Sequence, residues 1–109
     1  IDNDPASTLF VAEIESAVVG CIQLTIIPGL SFSGMRRAII EDVRVDKRCR
    51  GNGIGHRLME NAILTAQTKG CRMVQLFVHE ARSEAHRFYA DFGFGRQHLG
   101  MRLRIEPAD

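Results

Sequence analysis

Six consecutive residues carry the clearest chemical signal in this chain: Arg50-Gly51-Asn52-Gly53-Ile54-Gly55. Three alternate glycines let a backbone turn sharply and come close to a ligand. Directly after the loop, Ile54, Leu58, Met59, Ala62, Ile63 and Ala66 recur at helical spacing, with Arg57, Glu60, Asn61, Gln67 and Lys69 opposite them. A helix start leaves its first amides without helical partners and carries partial positive charge, which suits phosphate oxygens. The neighbouring charges agree. From Arg44 to Arg57 there are five basic residues, Arg44, Lys47, Arg48, Arg50 and Arg57, and one acid, Asp46.

Two familiar phosphate ligands fit poorly. A loop for nucleoside triphosphates needs Gly-Lys-Ser/Thr, and here Gly55 is followed by His56-Arg57. A dinucleotide fingerprint needs GxGxxG, whereas this run is GxGxG. The competing bland reading is a glycine loop that serves chain reversal alone.

The elements that must position this loop follow from the apolar pattern. Residues 8–14 and 18–27 are β-branched and apolar and read as a hairpin, with Glu15-Ser16-Ala17 as its turn. Residues 28–37, with Pro, Gly and Ser, read as a loop. Residues 38–45 read as a third strand, whose alternation Ile39, Glu41, Val43, Val45 sets one carboxylate on an apolar face. The loop and helix come next, with Gly70 expected just past the helix end. Residues 73–78 read as a short central strand. Ser83 is expected to cap a second helix with Ala85, Phe88, Tyr89 and Phe92 on one face and Gly93 ending it. Residues 97–105 read as a last strand. A strand–helix–strand unit favours a parallel pair and the hairpin an antiparallel one. The expected fold class is therefore α+β (α/β): a mixed, mostly antiparallel sheet flanked by helices.

Composition narrows the classes further. The chain has 109 residues, 45% apolar and 25% charged, so a single globular domain spanning 1–109 is expected. With 14 basic and 13 acidic residues the net charge is +1, which does not argue for a nucleic-acid partner. The longest apolar candidate, residues 18–30, is broken by Gly20, Gln23, Pro28 and Gly29 and is too short to span a membrane. Cys21, Cys49 and Cys71 form no CxxC pair and fit reduced thiols in a cytoplasm. No metal is expected, because His79, His86 and His98 show no ligand spacing with the cysteines. Cys21 and Cys71 read as small buried groups, and Cys49, between Arg48 and Arg50, reads as an ordinary or an activated loop thiol.

At these residues the chain resembles the GCN5-related N-acetyltransferase (GNAT) superfamily. Its acetyl-CoA signature, Arg/Gln-x-x-Gly-x-Gly/Ala opening a helix, is matched by Arg50, Gly53 and Gly55. A second family element, a small residue, two variable ones, an apolar residue and Tyr, then Gly-Phe, is matched by Ala85-His86-Arg87-Phe88-Tyr89 and Gly93-Phe94. The resemblance runs from about Thr8 to the end. Family members usually begin with one more strand and two helices, and this chain opens at Ile1 without Met, so such elements are expected to precede it. Many members carry Asn where this chain has Arg82; that Asn's cofactor role is not carried over.

The resemblance implies transfer of acetyl from acetyl-CoA, the cosubstrate, to an amine. An alkylamine with pKa near 10.4 is neutral in only about one molecule in a thousand at pH 7, so a base helps. Glu41 stands where some members place such a carboxylate; otherwise it is a solvated or ion-paired strand residue, and Asp42 is its competitor. The leaving thiolate gains from a proton donor, and Tyr89 matches the family position for that acid; otherwise it is a core aromatic. The resemblance assigns the oxyanion donor to the backbone amide of Val43. It gives the pantetheine contact to Val45, and cofactor binding to Arg50, Gly51, Asn52, Gly53, Ile54 and Gly55. Separation of Val43–Val45 from the strand at residues 73–78 would open the slot for the cofactor arm.

The implied acceptor is a small-molecule primary amine attacked in a ternary complex, with Arg36-Arg37 either suiting an anionic acceptor or standing as a solvated surface pair. A homodimer is a possible assembly, and neither nucleic acid nor membrane is expected as a partner. A peptide acetyltransferase is the alternative, and a basic RNA-binding module is the remaining one; one Tyr and no Trp speak against base stacking.

Overall fold

A two-residue turn starts the sheet. β1 (Ser7–Ile14) and β2 (Ala17–Ile27) pair antiparallel, with Ile14 opposite Ala17. Glu15 and Ser16 between them hold φ of 50° and 70°. Positive φ at both central positions matches the right-handed twist of the flanking strands, so the expected three-residue turn tightens by one residue. The computed structural model describes residues 6–29, 36–78, 82–96 and 100–107. The chain divides into two compact units, Ile1–Leu76 and Phe77–Asp109.

In the first unit, β3 (Arg36–Val45) pairs antiparallel with β2 and parallel with β4 (Cys71–Gln75), giving the strand order β1-β2-β3-β4. Helix α1 (Ile54–Thr68) connects the two parallel strands, as a parallel pair requires. The mixed, mostly antiparallel sheet is thus present. β4 is shorter than expected and lies at the edge of the described sheet rather than at its centre. Arg36 and Arg37, expected in a loop, are the first two residues of β3, and the rest of that expected loop falls largely outside the described residues.

The core sits under α1. Leu58, Met59, Ala62 and Ala66 pack their buried face against Ile22, Leu24, Ala38 and Ile40 of β2 and β3. Full burial of each large aliphatic side chain contributes roughly 1.5–3 kcal/mol. Alanine on both sides, at 38, 62 and 66, lets helix and sheet approach closely. At the helix end the Arg36 guanidinium donates to the Lys69 carbonyl at 2.8 Å, satisfying an acceptor that has no helical partner. The opposite sheet face carries Leu9 and Val11, 49% and 47% exposed.

In the second unit, α2 runs Ser83–Ala90. Arg82 rather than Ser83 occupies the N-cap position, and no side chain caps it. The helix ends two residues before Phe92, with Gly93 at φ 97° just beyond. The last expected strand is not formed in the described part: residues 100–107 carry no strand, and 97–99 lie outside the described residues. Met101, Leu103 and Ile105 there are all more than four-fifths exposed.

Candidate functional site

β3 delivers the chain to the glycine loop through a bulge. Glu41 pairs with Gln23 and Arg44 with Cys21, so Asp42 and Val43 together oppose only Ile22 and have no register partner. Asp42 takes φ 53°, left-handed for a residue with a side chain. One extra residue reverses the alternation beyond it. Glu41 lies opposite Gln23, whereas Val45 lies opposite Gly20, three residues away on β2. Glu41 and Val45 therefore occupy opposite faces, and Val43, two before Val45, goes with Val45. The expected single face of Ile39, Glu41, Val43 and Val45 is corrected: the bulge divides it. A signal was available. The apolar positions 38, 40, 43 and 45 step by two, three and two, and the odd step marks the extra residue.

Beyond β3, Asp46 opens a short 3₁₀ turn, Lys47–Cys49. Its Oδ1 accepts from the Arg48 amide at 2.9 Å, and the Arg48 guanidinium reaches both carboxylate oxygens at 3.3 and 3.4 Å. These Arg48 hydrogen bonds hold the Asp46 carboxyl below its ordinary pKa of 3.8. Arg50 turns its Nε back onto the Val45 carbonyl at 3.4 Å, tying the loop to the end of β3. Two of the five cations are thus engaged in shaping the loop. Lys47 and Arg57 point to solvent.

Gly53 occupies the N-cap of α1 at φ 78°, a backbone that side-chain-bearing residues rarely adopt. It cannot cap the helix with a side chain, and none does. The first helical bond at this end runs from the Arg57 amide to the Gly53 carbonyl at 3.0 Å. The amides of Gly53, Ile54 and Gly55 lie ahead of it. A Cβ built at Gly51 or at Gly53 would meet nothing within 4 Å. The space above the loop is open, and no acid sits in the helix's first turn. An anionic group suits such a mouth by charge, donors and open space. His56, at the exposed helix start, lies 3.0 Å from the Glu60 carboxylate.

The β3–β4 ladder ends at Ile39 and Gln75. Beyond that pair β4 supplies no partner to the bulged half of β3, where Glu41, Asp42, Val43 and Val45 stand. Glu41 and Asp42 are exposed, Val43 and Val45 half-buried. Asp42 meets Arg44 only at 4.0 Å, with both side chains largely in solvent, so the pair contributes little.

Tyr89 belongs to the second unit. Its ring stands edge-on to Phe88, 5.2 Å between centroids, and to Phe94, 6.1 Å. Burial raises the phenol's pKa above its ordinary 10, against a smaller lowering by the Arg82 charge. At neutral pH the hydroxyl keeps its proton, as a donor must. Cys21 and Cys71, expected to be small buried groups, are only partly buried, as is Cys49; all three are free thiols.

The sequence profile of the Acetyltransferase (GNAT) family matches residues 1–94, and the chain belongs to that family. A glucosamine 6-phosphate N-acetyltransferase of Trypanosoma brucei brucei is 33% identical over 88 residues, 81% of this chain. The chain spans 58% of the length of that curated relative. Among solved structures, a Bacillus halodurans C-125 protein described as a transcriptional regulator superposes with a TM-score of 0.92 at 38% identity, over 96% of this chain and 70% of its own. A Trypanosoma brucei acetyltransferase superposes with a TM-score of 0.82 at 30% identity, over 92% of this chain and 70% of its own.

Proposed function

We propose that residues 1–109 form one acetyl-CoA-binding domain of an N-acetyltransferase. It moves acetyl to the primary amine of a small molecule by direct attack in a ternary complex. The observation that carries this reading is the uncapped mouth of α1, with open space over Gly51 and Gly53 and cations around it. Amides at positions 53–55, with Arg50 and Asn52 beside them, hold the diphosphate of the cosubstrate.

The chemistry divides among few groups. Glu41 takes the proton that the ammonium must lose before it attacks. The Val43 amide, in the bulge and without a register partner, donates to the acetyl oxygen as the carbonyl becomes tetrahedral. Val45 contacts the pantetheine arm beside the half of β3 that β4 does not pair. The Tyr89 hydroxyl gives its proton to the departing thiolate. The collapse of the intermediate breaks the carbon–sulfur bond, the nitrogen's surplus proton passes through water to the Tyr89 phenolate, and an amide and a free thiol remain.

The relative named for glucosamine 6-phosphate supports an acceptor that bears both an amine and an anionic group. A screen of primary amines with acetyl-CoA, reading thiol release, tests the proposal. Amine-dependent, saturable release is the expected result. No calorimetric binding of CoA, with no thiol release for any amine, would overturn it.

A further inference from the structure

Gly20 is buried on β2, a strand that supplies none of the groups assigned above. It pairs with Val45, the last residue of β3. A Cβ built on it would lie 3.1 Å from the Arg44 carbonyl oxygen, 3.1 Å from Leu58 Cδ1 and 3.2 Å from Ile54 Cγ2. Three elements therefore converge on the missing side chain: β2, the end of bulged β3, and the first two turns of α1. One neighbour, Cys21, directs its Sγ at the Asp42 carbonyl of the bulge, 3.6 Å away. On the other side, the Val19 carbonyl accepts from the Asp46 amide at 2.7 Å, at the entry to the 3₁₀ turn. The segment 19–21 thus touches both ends of the path from bulge to helix.

We infer that Gly20 is a positioning residue for acetyl-CoA. By lacking a side chain it sets how closely the amide mouth of α1 stands to the β3 segment that receives the cofactor arm. The inference rests on the acetyl-CoA reading. A diphosphate and a pantetheine chain belong to one molecule, so their two sites must be held at a spacing that this molecule spans. An added methyl at position 20 has nowhere to go without moving one of these neighbours. Arg44 offers backbone, which gives least, so the helix start carries the shift.

The test separates positioning from general destabilisation. In Gly20→Ala the KM for acetyl-CoA is expected to rise about tenfold while kcat stays within about twofold. Ile22→Val, two residues along on the same buried face, is expected to lower the melting temperature and leave that KM alone. Adding Leu58→Val to Gly20→Ala removes the Cδ1 and is expected to recover part of the KM. A folded Gly20→Ala protein with wild-type KM, or a KM that rises equally in Ile22→Val, overturns the inference. If Gly20→Ala does not fold, hydrogen exchange in the wild type decides. Saturating CoA is expected to slow amides 19–21 more than amides 24–26 of the same strand, and equal slowing overturns the inference. Failure of wild-type protein to bind CoA at all would instead overturn the acetyl-CoA reading itself.

Discussion

Phe94 holds Tyr89 twice. Its amide donates to the Tyr89 carbonyl at 3.3 Å, five residues back, while its ring stands edge-on to the Tyr89 ring at 6.1 Å. The Gly93 amide meanwhile donates to the Ala90 carbonyl at 2.9 Å, and Gly93 sits at φ 97°. This pair of bonds, six-to-one and five-to-two with an apolar contact across them, is a Schellman ending. The Gly-Phe dipeptide after the tyrosine therefore has a physical purpose: it terminates α2 and fixes the ring carrying the proposed acid.

Loosening that ending should free the ring. Phe94→Ala removes an aromatic pair worth about 0.5–1.5 kcal/mol and should lower thermal stability by a similar amount. Tyr89 is the sole tyrosine and there is no tryptophan, so intrinsic fluorescence reports it alone. Its emission intensity should change in Phe94→Ala; unchanged intensity would show that Phe94 does not set its environment.

The same spectroscopic isolation permits a titration. Burial raises the Tyr89 pKa above 10, so alkaline absorbance should place the phenolate midpoint above that of an unfolded peptide. The sign for stability follows. The folded state keeps its proton longer than the unfolded state, so Tyr89's contribution is intact below pH 10 and declines as pH rises through the folded midpoint. A midpoint at or below 10 would contradict the burial.

Tyr89→Phe keeps the ring and deletes the proton. The expected result is a kcat lower by about a hundredfold, the smaller end of general-acid effects, with the KM for acetyl-CoA little changed. Undiminished thiol release would remove the proposed role.

Glu41→Gln should lower turnover at neutral pH and move the rate toward higher pH, where an acceptor amine of pKa about 10.4 is neutral unaided. A pH profile identical to the wild type would point to a different base.

Two substitutions at Gly53 separate backbone from charge. Gly53→Ala retains the left-handed φ of 78° at a cost of about 1–2 kcal/mol. Gly53→Asp adds a negative charge where the diphosphate is proposed to lie. The KM for acetyl-CoA should rise in both and much further in the aspartate variant. Equal values for the two would argue against an anion at this mouth.

Local order was largely legible in the amino-acid sequence. The hairpin, α1 and the glycine loop follow from apolar period and glycine placement, which act over a few residues. So does the Ala85–Tyr89 run on α2. What neighbouring strands decide was not. The bulge at Asp42 exists because β3 must match β2 residue for residue on both sides of it, and it separates Glu41 from Val45 across the sheet. Arg36 reads as surface charge until the end of α1 presents the Lys69 carbonyl to it. Gly20 reads only as a break in an apolar stretch, and the meeting of Arg44, Ile54 and Leu58 over it shows why no side chain fits there. Periodicity reports which faces are apolar, but spacing between elements is set by atoms distant in sequence, and that only the folded chain brings together.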